Sequence, residues 1–379
     1  MENIAGQKSG LSWAVQISTI LLVLLWVLPT FGLFVSSFRT TDQISTSGWW
    51  RALSTQERQL PPIRVEGTET QKDGLFVIDG TLFPKGGTTV SAWGTSSKEP
   101  TAYEAGATAE LNDGVTLSVK EDGTFTLTSP TSTADMRLPR IFTTASAPPE
   151  FTLNNYSNVI FSPLAGQSIG QAFLNTATVA IPATIIPILI AAFAAYALAW
   201  MEFPGRALLV AAVVALLVVP LQLALSPLLQ FHNWIGIGKG YLGIWLAHTG
   251  FGLPLAIYLL RNYMVGLPRD IIENARVDGA TEFQIFTKII LPLSFPALAS
   301  FAIFQFLWTW NDLLVALVFL GTGNDQQVLT ANLVNLMGSR GGDWEILATS
   351  AFVSILVPLI VFFSLQRFLV RGLLAGSVK

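Results

Sequence analysis

Residues 179–199 read VAIPATIIPILIAAFAAYALA and carry no charged side chain. A helix of about 20 residues crosses the hydrocarbon layer of a bilayer, and irregular backbone is not tolerated there. This stretch therefore predicts a transmembrane helix, although two prolines, Pro182 and Pro187, interrupt it.

Five other segments are comparably apolar, so the sequence predicts an all-α membrane body with six spans. The predicted spans lie at about 11–38, 173–200, 208–229, 243–260, 294–320 and 346–368. The first one follows Lys8 and could be a cleaved signal peptide. Its apolar region is longer than such peptides usually have, and no small-residue cleavage site follows directly, so we expect a retained helix.

The charged residues are unevenly distributed along the chain. Only 12% of the 379 residues are charged, against about 25% in soluble domains, and 51% are hydrophobic. Of the 45 charged residues, 24 lie between Arg39 and Ala172. We therefore predict a first span at 1–39, a water-soluble insert at 40–149, and a membrane core at 150–379.

The insert has the alternation of a β domain. VTLSV (115–119) and TFTLT (124–128) alternate apolar and polar residues around a turn that contains Gly123. Residues 74–83 predict a strand, a turn and a second strand, and residues 88–94 predict one more. A small sandwich or barrel is expected, either as a solubilising cap and spacer or as a docking surface for another protein.

Several chemistries are poorly supported by the composition. The chain has no cysteine, and its two histidines, His232 and His248, lack metal-ligand spacing. No phosphate-binding loop occurs, so we expect no ATP site in this chain, and the net charge of −3 gives no nucleic-acid footprint. We expect neither catalytic residues nor a metal site.

Lysine and arginine in the short loops predict the orientation of the chain. With a cytoplasmic N-terminus, nine of them fall inside, whereas only Lys239 and Arg340 fall in short outside loops. The nine are Lys8, Arg206, Arg261, Arg269, Arg276, Lys288, Arg367, Arg371 and Lys379. Both termini are therefore expected in the cytoplasm and the insert outside it.

The cytoplasmic stretch 266–296, GLPRDIIENARVDGATEFQIFTKIILPLSFP, predicts two helices joined by a glycine turn. Pro268 suits the first position of a helix, and Gly279 can end it in the left-handed conformation. Thr281 and Gln284 fit a capping box that starts the second helix, which leads into the fifth span. A force on the first helix would reach the membrane body through the second.

This stretch resembles the EAA loop of ABC importer permeases, whose pattern is E-A-A, three residues, G, nine residues, I, one residue, L-P. The matching positions, within a coupling loop at 261–292, are Glu273, Asn274, Ala275, Asp278, Gly279, Ala280, Ile289, Leu291 and Pro292. Asn274 stands where the family has alanine. Residues 151–379 resemble the maltose-type permeases through FLNTATVA (173–180), WNDLLVALVFL (310–320) and RGLLAGSVK (371–379). The stretches DQISTSGWW (42–50) and WEILATSAFV (344–353) resemble the bacterial α-glucoside importer permease.

The resemblance implies the six-helix ABC importer permease fold with a β domain inserted between spans one and two. It implies a multi-pass subunit of the bacterial cytoplasmic membrane that pairs with a second permease. Two ATPase subunits would bind Mg-ATP, so this chain would hold no cofactor and would not itself be an enzyme. A sugar-binding protein or lipoprotein would deliver an oligosaccharide, an α-glucoside such as trehalose, maltose or sucrose.

In the family, the loop between spans five and six reaches into the binding protein. The corresponding residues here are Gly338, Ser339, Arg340, Gly341, Gly342, Asp343 and Trp344, within a glycine-rich segment that could equally be an ordinary flexible turn. Asp312 is acidic and lies inside a predicted span; it either lines the sugar path beside Trp308, Trp310 and Asn311 or caps a helix. His248 is expected to be a packing residue with satisfied nitrogens. An ion-coupled secondary transporter is the alternative function, but it would need more buried ionisable residues than one aspartate and one histidine.

Overall fold

The computed structural model describes residues 10–72, 74–84, 86–133, 136, 138–163, 167–321 and 323–374. Lys8 and residues 375–379, which include Lys379, lie outside these ranges. The chain forms two compact units: one holds residues up to Asn155 together with Gly342–Thr349, and the other holds Tyr156–Gly341 and residues from Ser350 onward.

The first unit begins with one long apolar helix and continues into a β domain. Helix α1 (Gly10–Ser36) buries only Gly32, so its apolar side chains face outward. A short helix α2 (Thr41–Thr46) follows. The strands are β1 (Gln56–Arg64), β2 (Glu69–Lys72), β3 (Leu75–Thr81), β4 (Thr89–Gly94), β5 (Tyr103–Glu104), β6 (Thr108–Glu110), β7 (Thr116–Val119), β8 (Thr124–Ser129) and β9 (Arg140–Ala147).

The strands form two antiparallel sheets, ordered β1-β9-β4-β5 and β2-β3-β8-β7-β6. Both sheets contribute to one core: Trp93 and Ile141 come from the first, Ile78 and Leu117 from the second. The domain is therefore a sandwich. The hairpin predicted from residues 115–128 is present, with Val119 paired to Phe125 across the turn.

The prediction for residues 74–83 was wrong, because Leu75–Thr81 is one continuous strand. Gly80 had suggested a turn, yet it pairs with Phe125 in the middle of the sheet. A Cβ at this position would lie 2.5 Å from the Phe125 ring. The glycine is thus explained by a close packing contact rather than by a change of chain direction.

The second unit is helical. Its helices, of which α3 and α14 begin in the first unit, are α3 (Asn154–Phe161), α4 (Ile169–Trp200), α5 (Arg206–Leu216), α6 (Leu221–Trp234), α7 (Tyr241–Val265), α8 (Arg269–Val277), α9 (Glu282–Ile285), α10 (Leu291–Leu293), α11 (Phe295–Trp310), α12 (Leu314–Phe319), α13 (Leu329–Ser339) and α14 (Trp344–Leu374). Helices α4 and α7 bury small residues such as Ala183, Ala191, Ala247 and Ala256. Small side chains let membrane helices approach closely.

Four helices of the described residues are long and apolar enough to cross a membrane, namely α1, α4, α7 and α14. Two bent pairs raise the number to six if each pair is one span. The third predicted span is such a pair, since α5 and α6 meet at 110° around Pro220. The fifth is also not a single helix, because the chain breaks between α11 and α12. The count of six spans stays a prediction.

Candidate functional site

Helix α8 forms where the sequence predicted the first helix of the coupling loop. Pro268 precedes it with φ −59° and ψ 125°, one residue outside the helix rather than at its first position. Asp270 lies in the first turn and Arg276 in the last, and the helix dipole stabilises a negative charge at the first position and a positive charge at the second. Ile272 is its one buried side chain, 1% exposed. Ile272, with Ala275 partly buried on the same helix, therefore anchors α8, and its other side chains are exposed.

Gly279 ends this helix as predicted, with φ +81°. The Gly279 N–H donates to the Arg276 carbonyl and the Ala280 N–H donates to the Ala275 carbonyl, both at 3.0 Å. This is the Schellman pattern, which needs a left-handed residue at this position. Ala275 and Ala280 are partly buried against the same apolar cluster, so the turn is held on both sides.

The second helix starts with the predicted capping box. The Thr281 N–H donates to Gln284 Oε1 at 2.8 Å, and the Gln284 N–H donates to Thr281 Oγ1 at 3.3 Å. Helix α9 then continues through one π-helical segment, Phe286–Ile290, and α10 into α11 with a bend of 69°. Ile289 and Leu291 are partly buried here, and Pro292 is exposed.

The coupling loop is packed onto the membrane body through one continuous apolar cluster. Ile272, Ile285, Phe286 and Ile290 are buried together with residues of α4, α7 and α11, among them Phe301. Helices α8 and α9 are therefore in direct packing contact with three helices of the second unit.

A network of hydrogen bonds and one ion pair, which the sequence did not predict, also connects this loop to α4. Tyr196 of α4 donates its hydroxyl proton to Glu282 Oε2. Arg276 Nη2 lies 3.0 Å from Glu282 Oε1 and 3.5 Å from the Trp200 carbonyl oxygen. The network joins both coupling helices to the end of α4. Only the spacing of Arg276 and Glu282 within the loop could have suggested it, since Tyr196 is distant in sequence.

One face of the loop is exposed and has unused polar groups. Among the described residues, the side chains of Asp270, Glu273 and Asp278 make no hydrogen bond or ion pair, and Asn274 is likewise exposed. Val277 on α8 is 86% exposed, and Phe283 on α9 is 65% exposed. Exposed apolar side chains with polar groups around them are compatible with a protein-binding surface, which has an apolar centre and a polar rim.

Asp312 caps a helix, which was one of its two predicted roles. Its Oδ2 accepts hydrogen bonds from the Val315 and Ala316 amides, at 2.9 and 3.2 Å. These contacts start α12 and explain the break in the fifth predicted span. His248 Nε2 lies 3.9 Å from the same oxygen. In the described part of the chain neither ring nitrogen of His248 has a hydrogen-bond partner, so the expectation of a satisfied histidine was wrong.

The structure separates the other residues predicted for the sugar path. Trp308 stacks edge-on against His248 and lines a cavity of about 500 Å³ together with Gln305 and Gly252. Trp310 is 2% exposed and donates its indole N–H to the Ser354 carbonyl. Asn311 is exposed and bonds back to Leu307. Their role in a sugar path stays a prediction.

Part of the predicted contact segment at 338–344 is helical. Residues 335–339 belong to α13, so Gly338 and Ser339 are helical, and the Ser339 hydroxyl donates to the Asn335 carbonyl. Arg340 donates its N–H to the Leu336 carbonyl. After Gly341 and Gly342, the Asp343 carbonyl accepts from the Ile346 and Leu347 amides, and Trp344 is exposed. The contact with a binding protein stays a prediction.

Residues 187–374 match the family of binding-protein-dependent transport system inner membrane components. The whole chain is 64% identical to the alpha-glucoside transport system permease protein of Rhizobium meliloti (strain 1021), over 98% of both chains. The chain belongs to this family and is a membrane permease of an ABC-type sugar importer.

Two further relatives each match about three fifths of the chain. The osmoprotective compounds uptake permease protein of Synechocystis sp. is 60% identical over 61% of this chain and 76% of its own length. The trehalose transport system permease protein of Mycobacterium tuberculosis is 35% identical over 61% of this chain and 84% of its own length.

Proposed function

We propose that this chain forms, with a second and different permease subunit, the membrane path for an α-glucoside such as trehalose, maltose or sucrose. The full-length similarity to an alpha-glucoside permease supports this substrate class. The cavity beside Trp308 supports a place for the sugar, because it is largely apolar and has Gln305 as a polar group.

Two ATPase subunits that bind Mg-ATP drive the cycle by docking on the exposed face of α8. The two faces of α8 support this docking site. One face is exposed and carries Glu273 and Val277. The other packs against the helical bundle through Ile272, and the Arg276–Glu282 ion pair holds α8 to α9. Closure of the ATPases on ATP moves α8 and shifts the permease between inward-open and outward-open states. Such a shift requires that the ATP-closed partner bind one state more tightly than the other.

In this proposal the chain itself catalyses nothing and holds no cofactor. Both termini are cytoplasmic, and the insert at 40–149 and residues 338–344 face a sugar-binding protein or lipoprotein outside. Core residues 150–379 form the transport unit, and residues 1–39 anchor the insert.

Labelled-disaccharide uptake tests the substrate class. Cells that lack this gene should take up labelled trehalose, maltose or sucrose only when the gene is restored, and cellobiose, a β-linked disaccharide, is the control. Uptake should survive a protonophore at constant ATP, since an ion-coupled transporter would stop. Uptake of none of the α-glucosides by the restored strain would refute the substrate assignment.

A further inference from the structure

Two arginines in the first unit are buried without a carboxylate partner. Arg39 follows α1 and is 2% exposed, and Arg58 lies on β1 and is 7% exposed. Arginine is almost never buried unless it is paired, because removing its charge from water is costly. Each of these side chains therefore needs an explanation.

Arg39 is held only by neutral acceptors. Its Nη1 donates to the Ser47 carbonyl at 3.0 Å, and its Nη2 donates to the Gln43 carbonyl and to Ser47 Oγ, each at 2.6 Å. Its Nε is buried and has no partner among the residues that the structure describes. The guanidinium is thus positioned firmly, while its charge is not neutralised.

Arg58 makes no hydrogen bond or ion pair among the described residues, although it also lines a second cavity with Asp42 and Glu150. Its buried Nε and Nη1 have no hydrogen-bond partner in the described ranges, and none of the ion pairs found there includes Arg58. Burial, and to a lesser extent the positive charge of Arg58, lowers the pKa of Arg39. Two positive groups therefore lie close together where the dielectric is low, and this favours an anion between them.

A small cavity joins these groups. It is lined by Arg39, Arg51 and Arg58, by polar side chains such as Gln43 and Ser54, and by no aspartate or glutamate among the described residues. Its volume is about 10 Å³, which is room for roughly one water-sized atom. One oxygen of a larger anion fits, whereas the rest of that anion must remain at the opening.

The cavity lies at the end of a helix that is long and apolar enough to span a membrane. Helix α1 ends at Ser36, and Trp49 packs edge-on against Phe31 of that helix, with ring centroids 5.7 Å apart. Trp50 and Leu53 are exposed beside it. Tryptophan concentrates at the membrane–water interface, which is the level of lipid headgroups.

We propose that a phosphate group binds at the opening of this cavity, with one of its oxygens between the guanidinium groups of Arg39 and Arg58. Arginine matches the geometry of phosphate oxygens well, and the phosphate supplies the negative charge that the site lacks. The phosphate group could belong to either of two ligands. One is a phospholipid, whose acyl chains would lie along the exposed apolar side of α1, and the other is free inorganic phosphate. The position at the headgroup level favours the lipid.

Thermal unfolding and native mass spectrometry of the full chain, purified with its partner subunits, test the proposal. The detergent should have a polyoxyethylene headgroup, which lacks both phosphate and sugar. The additives are dioleoyl phosphatidylglycerol, dioleoylglycerol with the same chains and no phosphate, and sodium phosphate against sodium chloride at equal ionic strength. Arg58→Gln and Arg58→Met are compared with Arg64→Gln, a matched change at an exposed arginine of the same strand.

We expect phosphatidylglycerol to raise the unfolding temperature of the wild type and of Arg64→Gln, and dioleoylglycerol to have no effect. In both Arg58 variants phosphatidylglycerol affinity should fall about tenfold or more, because charge-assisted hydrogen bonds are lost. Stabilisation by sodium phosphate as well would support the site and assign it to phosphate in general.

Any one of the following results would overturn the proposal. One is an equal phosphatidylglycerol effect in the wild type and the Arg58 variants. Another is an equal effect of sodium chloride and sodium phosphate with no lipid effect. The third is loss of a partner subunit from Arg58→Met without any phosphate dependence, which would assign the arginines to a protein carboxylate. If the cavity binds nothing, Arg58→Met should unfold at a higher temperature than the wild type in every condition.

Discussion

At the residue scale, the coupling loop depends on a few side chains that connect it to α4. Glu282 accepts from Tyr196 on one side and from Arg276 on the other, so one carboxylate joins both coupling helices to the bundle. The Arg276–Glu282 pair is partly exposed, at 42% and 43% for the two side chains, and by itself stabilises little. Its value lies in fixing the position of α8.

Tyr196→Phe tests this network. Loss of a hydrogen bond to a charged group costs about 1.5–3 kcal/mol. We expect sugar uptake per ATP hydrolysed to fall, while the amount of assembled complex stays constant. Tyr258→Phe is the control, because Tyr258 is exposed on α7 and makes no hydrogen bond among the described residues. An unchanged uptake-to-ATP ratio in Tyr196→Phe would show that the network has no part in coupling.

Glu69 gives the insert a pH-dependent contact. Hydrogen bonds from the Thr133 hydroxyl and amide, and less from Ser132, lower the pKa of Glu69 below its ordinary value of 4.5. A carboxyl group whose pKa is lowered by folding stabilises the fold above its ordinary pKa and loses this effect as the pH falls through the folded value.

We therefore expect amide-exchange protection at Thr133 and along β2 to fall as the pH drops below 4.5. In Glu69→Gln this step should be absent, whereas Glu110→Gln, at an exposed position on β6, should keep it. The same acid step in Glu69→Gln would exclude this carboxylate as its origin.

At the element scale, the α8–Gly279–α9 unit was predictable because its signals are local. The Schellman glycine and the Thr281–Gln284 box act over a few residues, and both occur at the expected positions. The hairpin of β7 and β8 was predictable for the same reason. Gly80 was misjudged because its neighbour Phe125 is distant in sequence, and a local pattern cannot show a cross-strand contact.

The breaks in the predicted spans have the same explanation. Asp312 suggested either a path residue or a cap, and the hydrophobicity of residues 294–320 favoured one continuous helix. In the structure the Val315 and Ala316 amides donate hydrogen bonds to the Asp312 carboxylate, so Asp312 caps a helix. Hydropathy reports whether a segment suits a membrane, whereas it does not report where the helix ends within it.

Substitutions of Gly279 isolate the role of the turn. A Cβ at this position meets no atom within 4 Å, so only the positive φ opposes a side chain. Alanine should cost roughly 1–2 kcal/mol in the left-handed region, and asparagine should cost less. We expect ATPase co-purification and uptake to decrease in the order Gly, Asn, Ala, Pro. An alanine variant that retains more of both than the asparagine variant would contradict this reading of the turn.

At the scale of the whole molecule, the charge distribution separates two regions. The first unit holds the β-sandwich, where most of the charge lies. Eight of the remaining 21 charged residues lie between Arg261 and Lys288, in and around the coupling loop. The family assignment shows that the chain belongs to a transporter. In the proposed function, energy from a partner would enter it at the exposed face of α8.

The purified chain alone should hydrolyse no ATP, because its sequence has no phosphate-binding loop. Hydrolysis should appear when ATPase subunits are added and should rise when the binding protein is added with sugar. Turnover by the chain after removal of every partner, measured by phosphate release, would contradict the proposed division of labour.

Sugar uptake by proteoliposomes that contain the complete complex with Glu273→Lys tests the central claim most directly. The charge reversal places a lysine on the proposed docking face and leaves the buried side of α8 unchanged. We predict at least a tenfold loss of ATP-driven uptake and of bound ATPase, since reversed interface charges cost several kcal/mol. Glu110→Lys, on the insert, should leave the amount of bound ATPase unchanged. Wild-type uptake and wild-type ATPase content in the Glu273→Lys complex would contradict the assignment of this loop as the coupling site.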